Sequence, residues 1–110
     1  MQHISPRELA ARLRLPEYQT GDQPQLVDVR EPWEFGICRI DGADLIPMRQ
    51  IPSSLGRLDA DRPVVVICHH GIRSRQVALY LEQQGFKQVY NLTGGVAQWA
   101  RDVDSSMPVY

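Results

Sequence analysis

The chain has 110 residues and a formal net charge of -1, enough for one hydrophobic core and too little for two, so it is expected to form a single domain over 1–110. Nearly balanced charge leaves no footprint for a polyanion, which argues against nucleic acid as a partner. Two cysteines are too few for a disulfide scaffold, Met1 to Ile4 hold no basic region followed by an apolar stretch, and no apolar run nears the roughly 20 residues of a membrane helix, so a soluble, cytoplasmic protein with no membrane partner is expected.

An extended piece at Gln2 to Ile4 leads into a clear helix start. Ser5 can cap, Pro6 suits the first helical position and Glu8 completes a capping box, while Leu9, Ala10 and Leu13 supply an apolar face; together they predict a helix from Pro6 to Leu15. Pro16 to Pro24, with Thr20-Gly21-Asp22 inside it, has the composition of a polar loop. Gln25 to Val29 predicts a short strand, and Arg30 to Phe35 a loop entering a short helix with Pro32 near its first turn. Ala43 to Pro47 predicts a strand stopped by its proline, and Ile51 to Leu58 a short helix interrupted by Gly56. Val64 to Cys68 is β-branched up to the cysteine, after which Val77, Ala78, Leu81 and Phe86 keep helical spacing, with Gly85 as terminator. Gln88 to Leu92 and Val96 to Arg101 predict the last strand and helix. This alternation points to an α/β fold, a central, mostly parallel sheet flanked by helices on both faces, whose ligands bind beyond the carboxyl ends of the strands. Arg30, Cys68 and Gly94 all follow strand ends and are expected to meet at one rim.

The segment Cys68-His69-His70-Gly71-Ile72-Arg73-Ser74 lies where a buried strand turns into a helix. Backbone N–H groups from His69 to Ser74, turned inward, and the partial positive charge of a helix N-terminus favour a thiolate or a bound anion at Cys68. Arg73, with Arg30 from the neighbouring loop, is a candidate to hold the anionic end of a substrate or to stabilise the thiolate. Gly71 is expected to permit the turn, and Arg75 to lie on the surface. Cys68, His69 and His70 are adjacent in one turn and have no spaced second pair of ligands, so neither a metal nor another cofactor is expected. Cys38 reads as a buried small hydrophobe, with a resolving thiol as the alternative. Asp28 and Glu31 read as partners of a nearby arginine, and Trp33, Phe35 and Trp99 as core or pocket-wall residues.

Taken in order, Asp28-Val29-Arg30-Glu31-Pro32, Gly42-Ala43 with Ile46-Pro47, the Cys68 to Ser74 stretch, and Gly94-Gly95 with Trp99 resemble a single-domain rhodanese, of the sulfurtransferase family, over nearly the whole chain. The resemblance implies a rhodanese-like α/β fold and a persulfide-carrying cysteine at Cys68. It implies, too, transfer of sulfane sulfur from thiosulfate or a related small anionic donor to a thiol, cyanide or protein acceptor. One segment departs from the family pattern: Cys38-Arg39-Ile40 stands where a Gly-His-Ile run is common. Two other readings compete. Phosphatase or arsenate reductase chemistry on related folds uses an arginine six positions after the cysteine; here Arg73 is five after Cys68 and Ser74 is sixth, a tighter cradle suited to one sulfur atom. A non-catalytic or regulatory binding module often lacks the cysteine that this chain retains.

Overall fold

The computed structural model describes residues 1–15 and 23–110, so most of the expected loop from Pro16 to Pro24 lies outside the described residues. The chain runs β1 (Gln2–Ile4), α1 (Pro6–Leu13), β2 (Gln25–Asp28), α2 (Pro32–Ile37), β3 (Asp44–Leu45), two 3-10 turns (Met48–Gln50 and Pro52–Arg57), β4 (Val64–Ile67), α3 (Ile72–Gln83), β5 (Val89–Leu92) and α4 (Gly95–Asp102). The strands form one sheet in the order β1-β5-β4-β2-β3, and every pairing is parallel. No helix among the described residues is long and apolar enough to cross a membrane.

The expected capping box of α1 is present: Glu8 N–H donates to Ser5 Oγ at 3.1 Å and Ser5 N–H donates to Glu8 Oε1 at 3.0 Å. Two expected elements shrink for local reasons. The helix from Ile51 to Leu58 is a 3-10 turn over Pro52–Arg57, because Pro52, Ser53, Ser54 and Gly56 crowd it with poor helix formers. The strand from Ala43 to Pro47 keeps only Asp44–Leu45, at the sheet edge where Pro47 cannot donate to a ladder.

Alternation along the strands divides the core in two. Val65 and Ile67 of β4 face α1 and α4 with Ile4, Leu9, Val96 and Trp99, whereas Val64, Val66 and Cys68 face α3 with Val77, Ala78 and Leu81. Helices therefore cover both faces, as the doubly buried strand sequence requires. From β2 the chain moves outward to β3, and from β4 it moves the other way to β5, so the strand order reverses between two neighbours, β2 and β4. In an open parallel sheet that reversal leaves a crevice beyond the strand ends. Arg30 and Cys68 stand at its two sides.

Candidate active site

Only three residues, His69 to Gly71, separate Cys68 from the first turn of α3. The turn closes because Gly71 takes φ 94°, a left-handed conformation that other residues resist, and its N–H then donates to Cys68 Sγ at 3.0 Å. Gly71 thus touches the sulfur directly, more than the turn-permitting role expected of it. Ile72, Arg73 and Ser74 form the opening turn of the helix, not a loop. Cys68 itself is only 1% exposed.

The opposite side of the cysteine turn is pinned by α4. Val96 N–H donates to Cys68 O at 2.9 Å and Ala97 N–H donates to His69 O at 3.1 Å, so two free amides of a helix N-terminus fix the carbonyls of the loop. Sequence reasoning placed Gly94 near the rim but did not see this clamp, whose signal is the Gly94-Gly95 pair directly after β5.

Ser74 is fully buried, and its hydroxyl lies 3.2 Å from Cys68 Sγ and 2.5 Å from Asn91 Oδ1. Asn91 comes from β5 and was not among the expected site residues; a polar side chain inside an apolar strand, Val89-Tyr90-Asn91-Leu92, was the available signal. His70 is exposed, and His69 is sandwiched between the His70 and Tyr110 rings, with centroids 4.0 Å away on each side. Burial, followed by the adjacent His70, lowers the His69 pKa.

The two arginines stand differently from the sequence expectation. Arg30 is completely buried: Nε and Nη2 clasp Asp28 at 2.9 and 2.8 Å, Nη2 donates to Cys38 O at 2.6 Å, and Nη1 to Tyr110 Oη at 2.8 Å. Its fork is spent inside the protein, so it has no free face for a donor anion. Arg73 forms a bidentate pair with Glu34, at 2.7 and 2.8 Å, and is partly exposed. Its guanidinium is likewise engaged, and the hydrogen bonds to Glu34 raise its pKa.

Glu34 is therefore a hub that the sequence did not announce. It accepts two bonds from Arg73, one from Glu31 N–H at 2.9 Å and one from Tyr110 Oη–H at 2.7 Å. Those bonds, Arg73's first, outweigh burial and lower the carboxyl pKa to about 2. Tyr110 shares both arginine systems, and burial leads the effects that push its hydroxyl up to about 12. Asp28 keeps the expected arginine partner, whereas Glu31 meets an arginine, Arg49, in an exposed contact at 3.7 Å. Trp33 is not core: it is 64% exposed and meets Tyr110 edge-on at 5.8 Å. Trp99 is buried as expected, and Cys38 is buried with its sulfur 3.8 Å from Arg30 Nη1.

A depressed carboxyl pKa stabilises the fold above the unfolded value, and that contribution disappears as pH falls from about 4.5 towards about 2. Because Arg73 is partly solvated, the Glu34 pairing is expected to be worth on the order of 2 kcal/mol rather than the full shift. Urea unfolding should show wild type exceeding Glu34→Gln by that amount near neutrality, with the difference closing below about pH 4. A gap that stayed constant down to about pH 2 would show that the carboxylate charge is not its source.

Comparison with known proteins agrees with this geometry. Residues 5–102 match the family model described as Rhodanese-like domain. The chain is 44% identical over 75 residues to the thiosulfate sulfurtransferase GlpE of Shewanella oneidensis, covering 68% of this chain and 74% of that one. It is 40% identical over 111 residues to the Rhodanese-like/PpiC domain-containing protein 12, chloroplastic, of Arabidopsis thaliana, a match to 97% of this chain that spans only 36% of the relative. Among solved structures, the rhodanese-like domain protein of Staphylococcus aureus superposes with a TM-score of 0.82 at 31% identity, covering 100% of this chain and 99% of that one. With the parallel sheet, the cysteine turn between β4 and α3, and a family match over almost its whole length, the chain belongs to the rhodanese-like domain family.

Proposed function

We propose that this chain is a sulfurtransferase that moves sulfane sulfur from thiosulfate, or a related small anionic donor, through a persulfide on Cys68. The observation that supports this most directly is the Gly71 N–H aimed at Cys68 Sγ at 3.0 Å, on the N-terminal turn of a 12-residue helix. Sulfurtransferase relatives aligned over two thirds of the chain support the same reading.

The Cys68 thiolate attacks the outer sulfur of thiosulfate, the S–S bond to the sulfonate breaks with its electron pair, and sulfite leaves. Cys68 then holds a persulfide with one negative charge. A thiol, cyanide or protein acceptor attacks the terminal sulfur, and the thiolate returns. The amide of Gly71 and the helix terminus offset negative charge on sulfur in both steps. Arg73 acts by fixing the first turn of α3 to Glu34.

Mass spectrometry before and after thiosulfate tests the reading. The expected result is a gain of one sulfur atom on the peptide that contains Cys68, removed by cyanide. No gain on that peptide, with the protein folded, would favour a binding module. Efficient Cys68-dependent hydrolysis of an aryl phosphate would instead favour phosphatase chemistry, against the engaged guanidinium of Arg73.

Cys38 is expected to be dispensable for loading. It sits in extended backbone at the end of α2, and its neighbour Arg30 is saturated by other partners. In single-turnover experiments Cys38→Ala should form persulfide within about twofold of wild type, because the substitution removes one sulfur atom and leaves the backbone carbonyl that Arg30 holds in place. A loss comparable to removal of Cys68 would place a required thiol at Cys38.

A further inference from the structure

We propose that Asn91 is a positioning residue that sets the direction of the Ser74 hydroxyl and thereby opposes ionisation of Cys68, a brake that reverses when the sulfur acquires charge. The inference rests on Cys68 being the reactive thiol of the proposed transfer. Four residues form a closed hydrogen-bond circuit. Gly71 N–H donates to Cys68 Sγ at 3.0 Å, Cys68 donates to Ser74 Oγ at 3.2 Å, Ser74 donates to Asn91 Oδ1 at 2.5 Å, and Asn91 Nδ2 donates back to Gly71 O at 3.2 Å.

The circuit has only one consistent direction. Asn91 is 3% exposed, and its amide nitrogen is occupied by the Gly71 carbonyl, with His3 Nδ1 at 3.4 Å, so the oxygen faces Ser74 as an acceptor. A serine hydroxyl has one proton. While that proton serves Asn91, Ser74 can only accept from sulfur, which suits a thiol and not a thiolate.

A thiolate or persulfide has no proton to give and attracts a donor more strongly than a neutral amide oxygen does. The hydroxyl must then turn to sulfur, leaving Asn91 Oδ1 buried without its donor, at a cost in free energy. Asn91 therefore favours the protonated resting cysteine, and the rotated hydroxyl adds a second donor to the Gly71 amide once sulfur is charged. The titratable and charged groups around the sulfur are His69 and His70 on the turn, Arg73 with Glu34, and His3 beyond Asn91; none takes part in the circuit except the His3 contact with Asn91.

The test reads the free thiol and needs no sulfur donor, so it stands apart from the mass-spectrometric test of transfer. Rates of Cys68 alkylation by iodoacetamide are measured against pH in wild type, Asn91→Leu, Ser74→Ala and the double variant, all in a Cys38→Ala background. Asn91→Leu is expected to alkylate about three- to tenfold faster near neutrality, the weight of one neutral hydrogen bond, and to have no such effect once Ser74 is alanine. Slower alkylation in Asn91→Leu, or the same acceleration without the Ser74 hydroxyl, would overturn the proposal. Should Asn91→Leu fail to fold, the side-chain amide resonances of Asn91 in the unaltered protein decide. They are expected to shift along the same pH profile as Cys68 alkylation and to stay fixed in Cys68→Ser; resonances blind to the charge on sulfur would overturn the proposal equally.

Discussion

Gly95→Ala is expected to lower the rate of Cys68 sulfur loading by about a hundredfold or more, whereas Gly85→Ala leaves it close to wild type. Both glycines hold left-handed backbone, with φ 57° and 94°, so both substitutions incur the same kind of local strain, about 1–2 kcal/mol. They differ in what the new methyl meets. At Gly85 nothing lies within 4 Å, while at Gly95 the added carbon would stand 2.3 Å from Cys68 O and 2.4 Å from His69 O. Those are backbone atoms of the cysteine turn, and neither can swing aside as a side-chain end can. Either α4 retreats and Val96 and Ala97 release the two carbonyls they hold, or the turn itself moves and Gly71 loses its alignment on the sulfur. A displacement near 1 Å at a reacting atom is sufficient for a loss of that size. Loading kinetics of the folded fraction, together with urea unfolding of both variants, separate the effects: Gly95→Ala is expected to lose more stability than Gly85→Ala, because the clash adds to the shared strain, and alone to lose loading rate while folded. Equal rates in the two variants would mean that the close approach of α4 to the turn is not what shapes the site.

The same comparison shows why parts of the site were legible in the sequence and others were not. Cys68 could be located because β4, the turn and α3 are contiguous, and local signals such as a β-branched run, a glycine and a helical period report on contiguous structure. The α1 capping box was readable for the same reason. The destinations of Arg30 and Arg73 were not, because an arginine fork takes whichever carboxylate the tertiary fold presents, and the choice between a free anion and Glu34 is made 39 residues away. Asn91, 17 residues from Ser74, and Tyr110, 80 from Arg30, reach the site through the sheet and the last described residues, which no contiguous signal reports. Of the two readings of Trp33, the core one fails because hydrophobicity alone does not set burial; with α2 only six residues long, its apolar ring ends on the surface against Tyr110.

Arg30→Met is expected to remove about 3–5 kcal/mol of stability while leaving the thiosulfate dependence of the folded fraction unchanged. The loss follows from what stays behind. Asp28 is fully buried, and both its oxygens receive the Arg30 fork, at 2.9 and 2.8 Å for the shortest bond to each. Without the guanidinium its charge lies in a low-dielectric interior, and Cys38 O and Tyr110 Oη also lose a donor. A lysine should restore little, because one ammonium cannot serve the carboxylate, the carbonyl and the phenol in their three directions. Adding Asp28→Leu to Arg30→Met should recover part of the loss, since the uncompensated charge, more than the missing bonds, accounts for most of it. Urea unfolding of the single and double variants measures that recovery, and initial rates against thiosulfate measure binding in parallel. A rise in the thiosulfate concentration for half-maximal rate, at constant stability, would return Arg30 to the donor-binding role that its position after β2 first suggested. Stability lost with half-maximal concentration unchanged instead makes the Asp28–Arg30 pair the internal brace of the crevice, holding the β2 side of the rim rigid against the cysteine turn on β4.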